Sequence, residues 1–323
     1  MSTHVSATDK QIQRFLMLIR LLLAYLVFVI IYGAVVRATG SGAGCGSSWP
    51  LCQGTLIPLA PKIKTLIEYG HRVTSGLSLP FILWVLFQAR LLFAPHHPVR
   101  KFLKLTTFFL IVEALIGAFL VKFEHVADNV SLYRAFSMSF HLLNTFALTA
   151  SCLLAIFSVR KKSLNAVLFP DLFLFFGAVS LVITGVSGAV TALGDTLFPL
   201  QGDKSAWSLA LESSSHLFMK LRIFHPFIAI MSSLYVLYIG VVKASERATC
   251  KGTGRLLAGA VLIQIFLGYL NVTLAAPVWL QVVHLMWAQA TWLCYIWLVA
   301  SWQKAGSKAI SFQQEISFST PVK

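Results

Sequence analysis

Residues 15–36 read FLMLIRLLLAYLVFVIIYGAVV, an apolar run whose single charge is Arg20. A bilayer core takes about 20 mainly apolar residues as one helix, so this stretch reads as a membrane span. Working outward along the chain, seven further stretches of the same kind follow, at roughly 69–93, 102–121, 134–158, 170–192, 215–242, 255–274 and 278–302. Together they use most of the 323 residues. The composition agrees: 57% of residues are hydrophobic, 11% are charged, and mean hydropathy is +0.78. A soluble domain carries about 25% charged residues. Soluble, disordered and disulfide-scaffold classes are therefore excluded. The expected fold is an all-α polytopic membrane protein of about eight transmembrane helices.

Lysine and arginine outnumber aspartate and glutamate by 26 to 11, a net charge of +15. In a soluble protein that surplus would point to nucleic acid. Here its positions account for it. Lys10, Arg14 and Arg20 lie before or early in the first span, and Arg90, Arg100, Lys101 and Lys104 between spans two and three. Arg160, Lys161 and Lys162 follow span four, and Lys243, Arg247, Lys251 and Arg255 follow span six. Lys304, Lys308 and Lys323 are in the tail. The alternate loops hold many of the acids, Glu68, Glu124, Asp128, Asp195, Asp203 and Glu212. The positive-inside rule then puts both termini in the cytoplasm. The polar lead of about 14 residues, the long apolar stretch after it and the lack of a small-residue cleavage pattern argue against a cleaved signal peptide. The expected compartment is a bacterial plasma membrane.

A weak internal duplication has a period near 150 residues. Gly33-Ala34-Val35-Val36 recurs as Gly188-Ala189-Val190-Thr191, and His71 matches His225. Glu113 to Gly117 resembles Gln264 to Gly268, and His141 matches His284. Four spans per half is an even number, so the halves share one orientation, as a parallel repeat. The expected architecture is two tandem, pseudo-twofold-related four-helix bundles, residues 1–160 and 161–323.

The repeat places four histidines, two per half, on different helices at similar depth near the outer face. An ionisable residue inside a span is a functional-site hypothesis by default. Two imidazoles facing each other across a bundle suit axial ligation of a haem iron. The 25 phenylalanines offer apolar walls for the macrocycle. The alternative is histidines hydrogen-bonded across helices. Zinc fits less well, because two histidines per half lack the remaining ligands. His4, His96 and His97 read as solvated, and His125 and His216 as surface residues of the outer side.

The halves are not equal. Glu68 precedes His71 by three residues and shares its helical face; the second half has Leu221 or Arg222 near that place and no carboxylate. A carboxylate beside such a pocket can move a proton or orient a water. The alternative is an acid that pairs with Arg72. Glu113 lies mid-span opposite the neutral Gln264 and reads as a buried hydrogen-bonding acid. In the Gly-rich first outer loop, Cys45 and Cys52 can close a disulfide, either as a structural pin or as a redox pair. Cys152, Cys250 and Cys294 read as packing residues.

These residues together resemble the haem A synthase family. The likeness lies in Val36-Arg37-Ala-Thr-Gly-Ser-Gly-Ala-Gly-Cys45, Trp49-Pro-Leu-Cys52-Gln-Gly54 and Glu68-Tyr-Gly-His71-Arg72, and in the placement of His141, His225 and His284. The resemblance implies an oxidoreductase that converts haem O to haem A by oxidising a porphyrin methyl to a formyl group. It implies haem b as cofactor between His225 and His284, and haem O as substrate between His71 and His141. It makes Glu68 the catalytic carboxylate and Cys45 and Cys52 the outer-loop pair, with Arg37, Arg72 and Glu113 in support. It points to a haem O synthase and an electron-transfer partner as associates, and a homo-oligomer is compatible. One departure is plain: the loop at roughly 193–214 lacks the second cysteine pair of some bacterial relatives. The rival reading is a di-haem b membrane electron carrier, which needs the four histidines but neither Glu68 nor the special first loop.

Overall fold

The structure is a computed structural model that describes residues 8–160, 171–199, 212 and 216–319, with side chains up to residue 303. His4, Lys161, Lys162, Asp203 and Lys323 lie outside the described residues, as do the side chains of Lys304 and Lys308. Nine α-helices are described: α1 (Asp9–Ala38), α2 (Ile63–Leu92), α3 (Pro98–Lys122), α4 (Leu132–Ser158), α5 (Leu172–Leu197), the short α6 (Leu217–Leu221), α7 (Phe224–Val241), α8 (Lys251–Thr273) and α9 (Val278–Ser319). Eight segments are long and apolar enough to cross a membrane, and no strand occurs among the described residues. The protein is a multi-pass helical membrane protein.

Local chemistry sets the helix starts. Thr8 caps α1 by accepting from Gln11 N–H at 3.4 Å, while the Gln11 side chain accepts from Thr8 N–H at 2.8 Å. This reciprocal pairing satisfies donors that a helix start leaves free. Pro98 opens α3, where its missing N–H costs nothing. Several helices overrun the spans read from hydropathy, the last as far as Ser319, and two differences bear on the site. The second span begins at Ile63 rather than near 69, because its polar first turns bind the preceding loop instead of facing lipid. The sixth span is not one helix over 215–242: α6 ends at Leu221 and α7 begins at Phe224. Pro226 explains the break, since its ring crowds the carbonyl four residues back, at Arg222.

Helices α1 to α4 pack in a closed ring, 1–2–3–4–1, and α5, α7, α8 and α9 close a second. The rings meet through α1, α4, α5 and α9. α4 serves both cores. Leu148, Cys152 and Ala155 pack with α1, α2 and α3, while Phe146, Ala150 and Leu154 pack with Tyr295, Ile239 and Leu257 of the other ring.

Packing is uneven along the bundle axes. The buried side chains of α1, α2 and α4 concentrate in the half away from the first loop, as with Ile19, Leu22, Ile82, Val85 and Leu148. At the level of the histidines it opens. No residue of 30–33, 69–77, 111–119 or 136–143 is buried in the first ring. None of 179–192, 223–231, 262–273 or 281–288 is buried in the second. Protein interiors are normally close-packed. Both bundles are solid at one end and less tightly filled at the histidine level.

Candidate functional site: two histidine pairs and a clamped outer loop

The first outer loop is fastened to α2. Cys45 and Cys52 form a disulfide. Glu68, 3% exposed, accepts from Cys45 N–H through Oε2 at 2.7 Å and from Arg72 Nε through Oε1 at 3.1 Å. Arg72 Nη1 donates to the carbonyls of Ser48 and Leu51, both at 2.6 Å. Thr65 Oγ1 donates to Gly44 O at 2.9 Å. Gly44 itself presses on the backbone of Lys64 and Thr65, where no side chain fits. The pairing of Glu68 with Arg72, which the spacing allowed, is present. The carboxylate also holds the disulfide loop above the first ring.

Below this clamp His71 stands between α1 and α2. A Cβ on Gly33 would lie 3.1 Å from its Cε1, and Tyr32 meets its ring edge-on at 5.7 Å between centroids. His71 Nδ1 is buried without a partner. His141, on α4, is close enough for charge on either imidazole to act on the other. Its Nδ1 lies 3.3 Å from Glu113 Oε1 on α3. Glu113 is in turn fixed by Thr145 Oγ1 at 2.7 Å and by Asn144 Nδ2. The approach of Glu113 to His141 is an ion-pair contact without hydrogen-bond geometry, and Nδ1 of His141, like that of His71, has no hydrogen-bond partner.

The second ring repeats the plan with different atoms. Gly188 approaches His225, with Cε1 3.0 Å from where a Cβ would be, and Ser187 Oγ is 2.9 Å from His225 Nδ1. His284 on α9 is within electrostatic reach of His225. Gly268 faces His284 Cε1 at 3.4 Å, and Gln264 Nε2 is 3.2 Å from His284 Nε2. Here the contact is on Nε2, so an iron at that nitrogen requires the Gln264 side chain or the imidazole to turn. At the position corresponding to Glu68 stands Arg222, buried, which donates to Phe198 O at 3.2 Å and pairs with Asp195 at 3.4 Å. The acid of one half is replaced by a base in the other.

Arg37 joins the rings. It leaves the end of α1 and donates to Ala192 O and Thr196 Oγ1 on α5, both at 2.8 Å, and to Gln281 Oε1 on α9 at 3.2 Å. Hydrogen bonds from a charged donor contribute about 1.5–3 kcal/mol each, and they are not additive. Arg37→Ala is expected to cost about 3 kcal/mol and to lower the thermal midpoint of the detergent-solubilised protein by roughly 5 °C at fixed scan rate. An unchanged midpoint, read by circular dichroism, would show that this seam holds nothing.

The structure thus brings each predicted histidine against a predicted or repeated neighbour. Glu113 and Gln264 each contact the histidine of the next helix. Sequence reasoning missed Tyr32, Ser187, Asn144 and Thr145. Tyr32 and Ser187 were findable, since each directly precedes the repeated glycine. His125 and His216 are not idle surface groups. His125 lies 3.2 Å from Ser137 Oγ, and His216 caps α6 by accepting from Phe218 N–H at 3.2 Å. Cys152 and Cys250 are buried packing residues and Cys294 is half-buried. Among the described residues no three histidine, cysteine or acidic groups converge as a metal cage would need. Two imidazoles within electrostatic reach on different helices of one ring are instead a donor set that fits a haem iron.

Fold and site together define a multi-pass membrane protein with two rings of helices, each carrying two histidines within electrostatic reach of one another. The chain matches the cytochrome oxidase assembly proteins (COX15-CtaA) over residues 16–296, and it belongs to that family. It is 42% identical over 293 residues to a protein of Thermus thermophilus named protoheme IX farnesyltransferase, covering 88% of this chain and 48% of that one. It is also similar to the heme A synthases of Staphylococcus haemolyticus, 39% identical over 137 residues, and of Staphylococcus epidermidis, 36% over 144 residues. Those two matches cover 42% and 45% of this chain, and 43% and 46% of the relatives. The chain spans about half the length of the curated relatives it matches.

Proposed function

We propose that this protein is a haem A synthase, which oxidises a methyl substituent of haem O to a formyl group by successive hydroxylations. The observation that carries the reading is the asymmetry of the pockets. Both have a histidine pair and a loose outer level, but only the first lies beneath a disulfide loop clamped by a buried acid and its arginine. An electron carrier has no need of that clamp. The names of the staphylococcal relatives agree with the reading.

In this reading residues 1–160 form the substrate half and residues 161–323 the cofactor half. Haem O would be held between His71 and His141, with Glu113, itself fixed by Thr145 and Asn144, close to His141 Nδ1. Tyr32 and Gly33 shape the slot for His71. Glu68 serves as the catalytic carboxylate. It holds the first loop as a cover that limits water and carries protons at its carboxylate oxygens. Haem b would be held by His225 and His284, with Ser187 orienting His225 through Nδ1, and would supply one-electron transfer toward an electron-transfer partner. The Thermus relative is named for farnesyl transfer to protohaem, and a haem O synthase is the natural supplier of substrate. The compartment is a bacterial plasma membrane with both termini cytoplasmic, from the distribution of basic residues.

Co-expression with a haem O synthase, followed by extraction and chromatography of the haems, tests the assignment. Haem A or its hydroxylated precursor is expected to accumulate only when both proteins are present. Haem b alone in the purified protein, with haem O unconverted, would overturn the enzyme and favour the di-haem carrier.

A further inference from the structure

Away from both histidine pockets, at the far end of the first ring, the turn between α2 and α3 forms an open groove of about 410 Å³. Pro95, His96, His97, Lys101, Lys104 and Leu105 line it. No acidic residue occurs anywhere between Glu68 and Glu113. Lys101 and Lys104 are exposed, and neither takes part in an ion pair among the described residues. His97 caps α3 by accepting from Val99 N–H through Nδ1 at 3.3 Å, which leaves its proton on Nε2 as a donor. Phe93 lies against the His97 ring, 4.6 Å between centroids, and fixes it. The first turn of α3 contains no acid to neutralise the positive end of the helix.

The face below the groove is apolar and uncovered. Lys104, Phe108, Ile111 and Leu115 follow one another at helical spacing, with the last three 57%, 46% and 61% exposed. A line of cations at the membrane boundary thus continues into an exposed apolar track running toward mid-span. Its complement has an anionic phosphate head and hydrocarbon chains.

We propose that the α2–α3 turn is a binding site for an anionic glycerophospholipid. The phosphate sits among Lys101, Lys104 and the His97 Nε2–H, and an acyl chain lies along Phe108, Ile111 and Leu115. A basic pocket of this kind between helices on the positive side of a membrane protein recognises anionic headgroups. The site uses none of the residues assigned to haem, so it stands or falls separately from the proposed activity.

Native mass spectrometry of the full chain in detergent tests it, with added phosphatidylglycerol, phosphatidylcholine or inorganic phosphate as probes. Phosphatidylglycerol adducts are expected to be retained about tenfold better than phosphatidylcholine adducts. That preference should vanish in Lys101→Gln/Lys104→Gln and persist in Arg255→Gln, an exposed cation on α8. Phe108→Asn should weaken retention of the lipid without changing phosphate competition. A preference unchanged in the double variant would overturn the site. Equal displacement of the lipid by inorganic phosphate, with no effect of Phe108→Asn, would overturn the lipid in favour of a free-anion site. Each variant's helical content, read by circular dichroism, excludes misfolding as the cause.

Discussion

Glu68→Ala lowers haem A formation by about 10²-fold or more in the co-expression assay, while haem bound to the second ring is retained. The size of the effect has two sources. Proton handling by a placed carboxylate contributes about 10²–10⁴-fold. Removing one partner of a buried ion pair also costs about 3–5 kcal/mol, because the other charge is left behind. In this protein the abandoned groups are the Arg72 guanidinium and Cys45 N–H. Cys45 belongs to the first loop and Arg72 to α2, which holds that loop through Ser48 and Leu51, so the damage falls on the substrate half. Glu68→Gln keeps only one part of the clamp, since its amide oxygen can face Cys45 N–H while the charge opposite Arg72 is lost together with the proton. The expected outcome is an intact loop, with Cys45 and Cys52 still closed to thiol reagents, and output nearly as low as for alanine. Wild-type output from the glutamine variant would reduce Glu68 to a structural clamp.

Gly33→Val and Gly188→Val form the second experiment, because the same substitution strikes one pocket each time. At both glycines the nearest atom to an added Cβ is Cε1 of the facing histidine, at 3.1 and 3.0 Å. Even a methyl group crowds the imidazole there, and valine adds two more carbons. Overpacking of this kind costs about 1–3 kcal/mol, or roughly five- to hundredfold in occupancy of whatever the histidine binds. Gly188→Val is expected to deplete haem b and bleach its absorption, leaving haem O able to bind. Gly33→Val is expected to spare haem b and block conversion. If both variants lose the same pigment, the assignment of one haem to each ring is wrong.

Much of this site could be read in the residues themselves. The eight spans needed only hydropathy, since a bilayer demands length and apolarity of every helix that crosses it. The four histidines came from the repeat, because a duplicated chain keeps intramembrane polar residues at corresponding places. The Glu113–His141 contact was half legible, as Glu113 was noted opposite Gln264 but nothing in the spacing joined it to another helix. Ser187 and Tyr32 were passed over because a hydroxyl and a ring near a glycine are common in spans and gain meaning only beside an imidazole. The break before α7 was legible in Pro226 and was overlooked because the hydropathy runs through it.

From the sequence alone came the fold class, the number of spans, the doubling and the residues with chemistry to offer. These follow from local physics: apolar length, helical period and charge distribution. Tertiary structure decided what those residues face. It turned the Glu68 carboxylate to the Cys45 backbone and Arg72, set Arg37 across the seam into α5 and α9, and ran α4 through both cores. Such choices depend on which helices become neighbours, and helix packing is settled by side-chain shape across the whole bundle rather than by any one stretch. The run at 15–36 could announce a membrane helix, but only its neighbours made Gly33 the wall of a histidine slot.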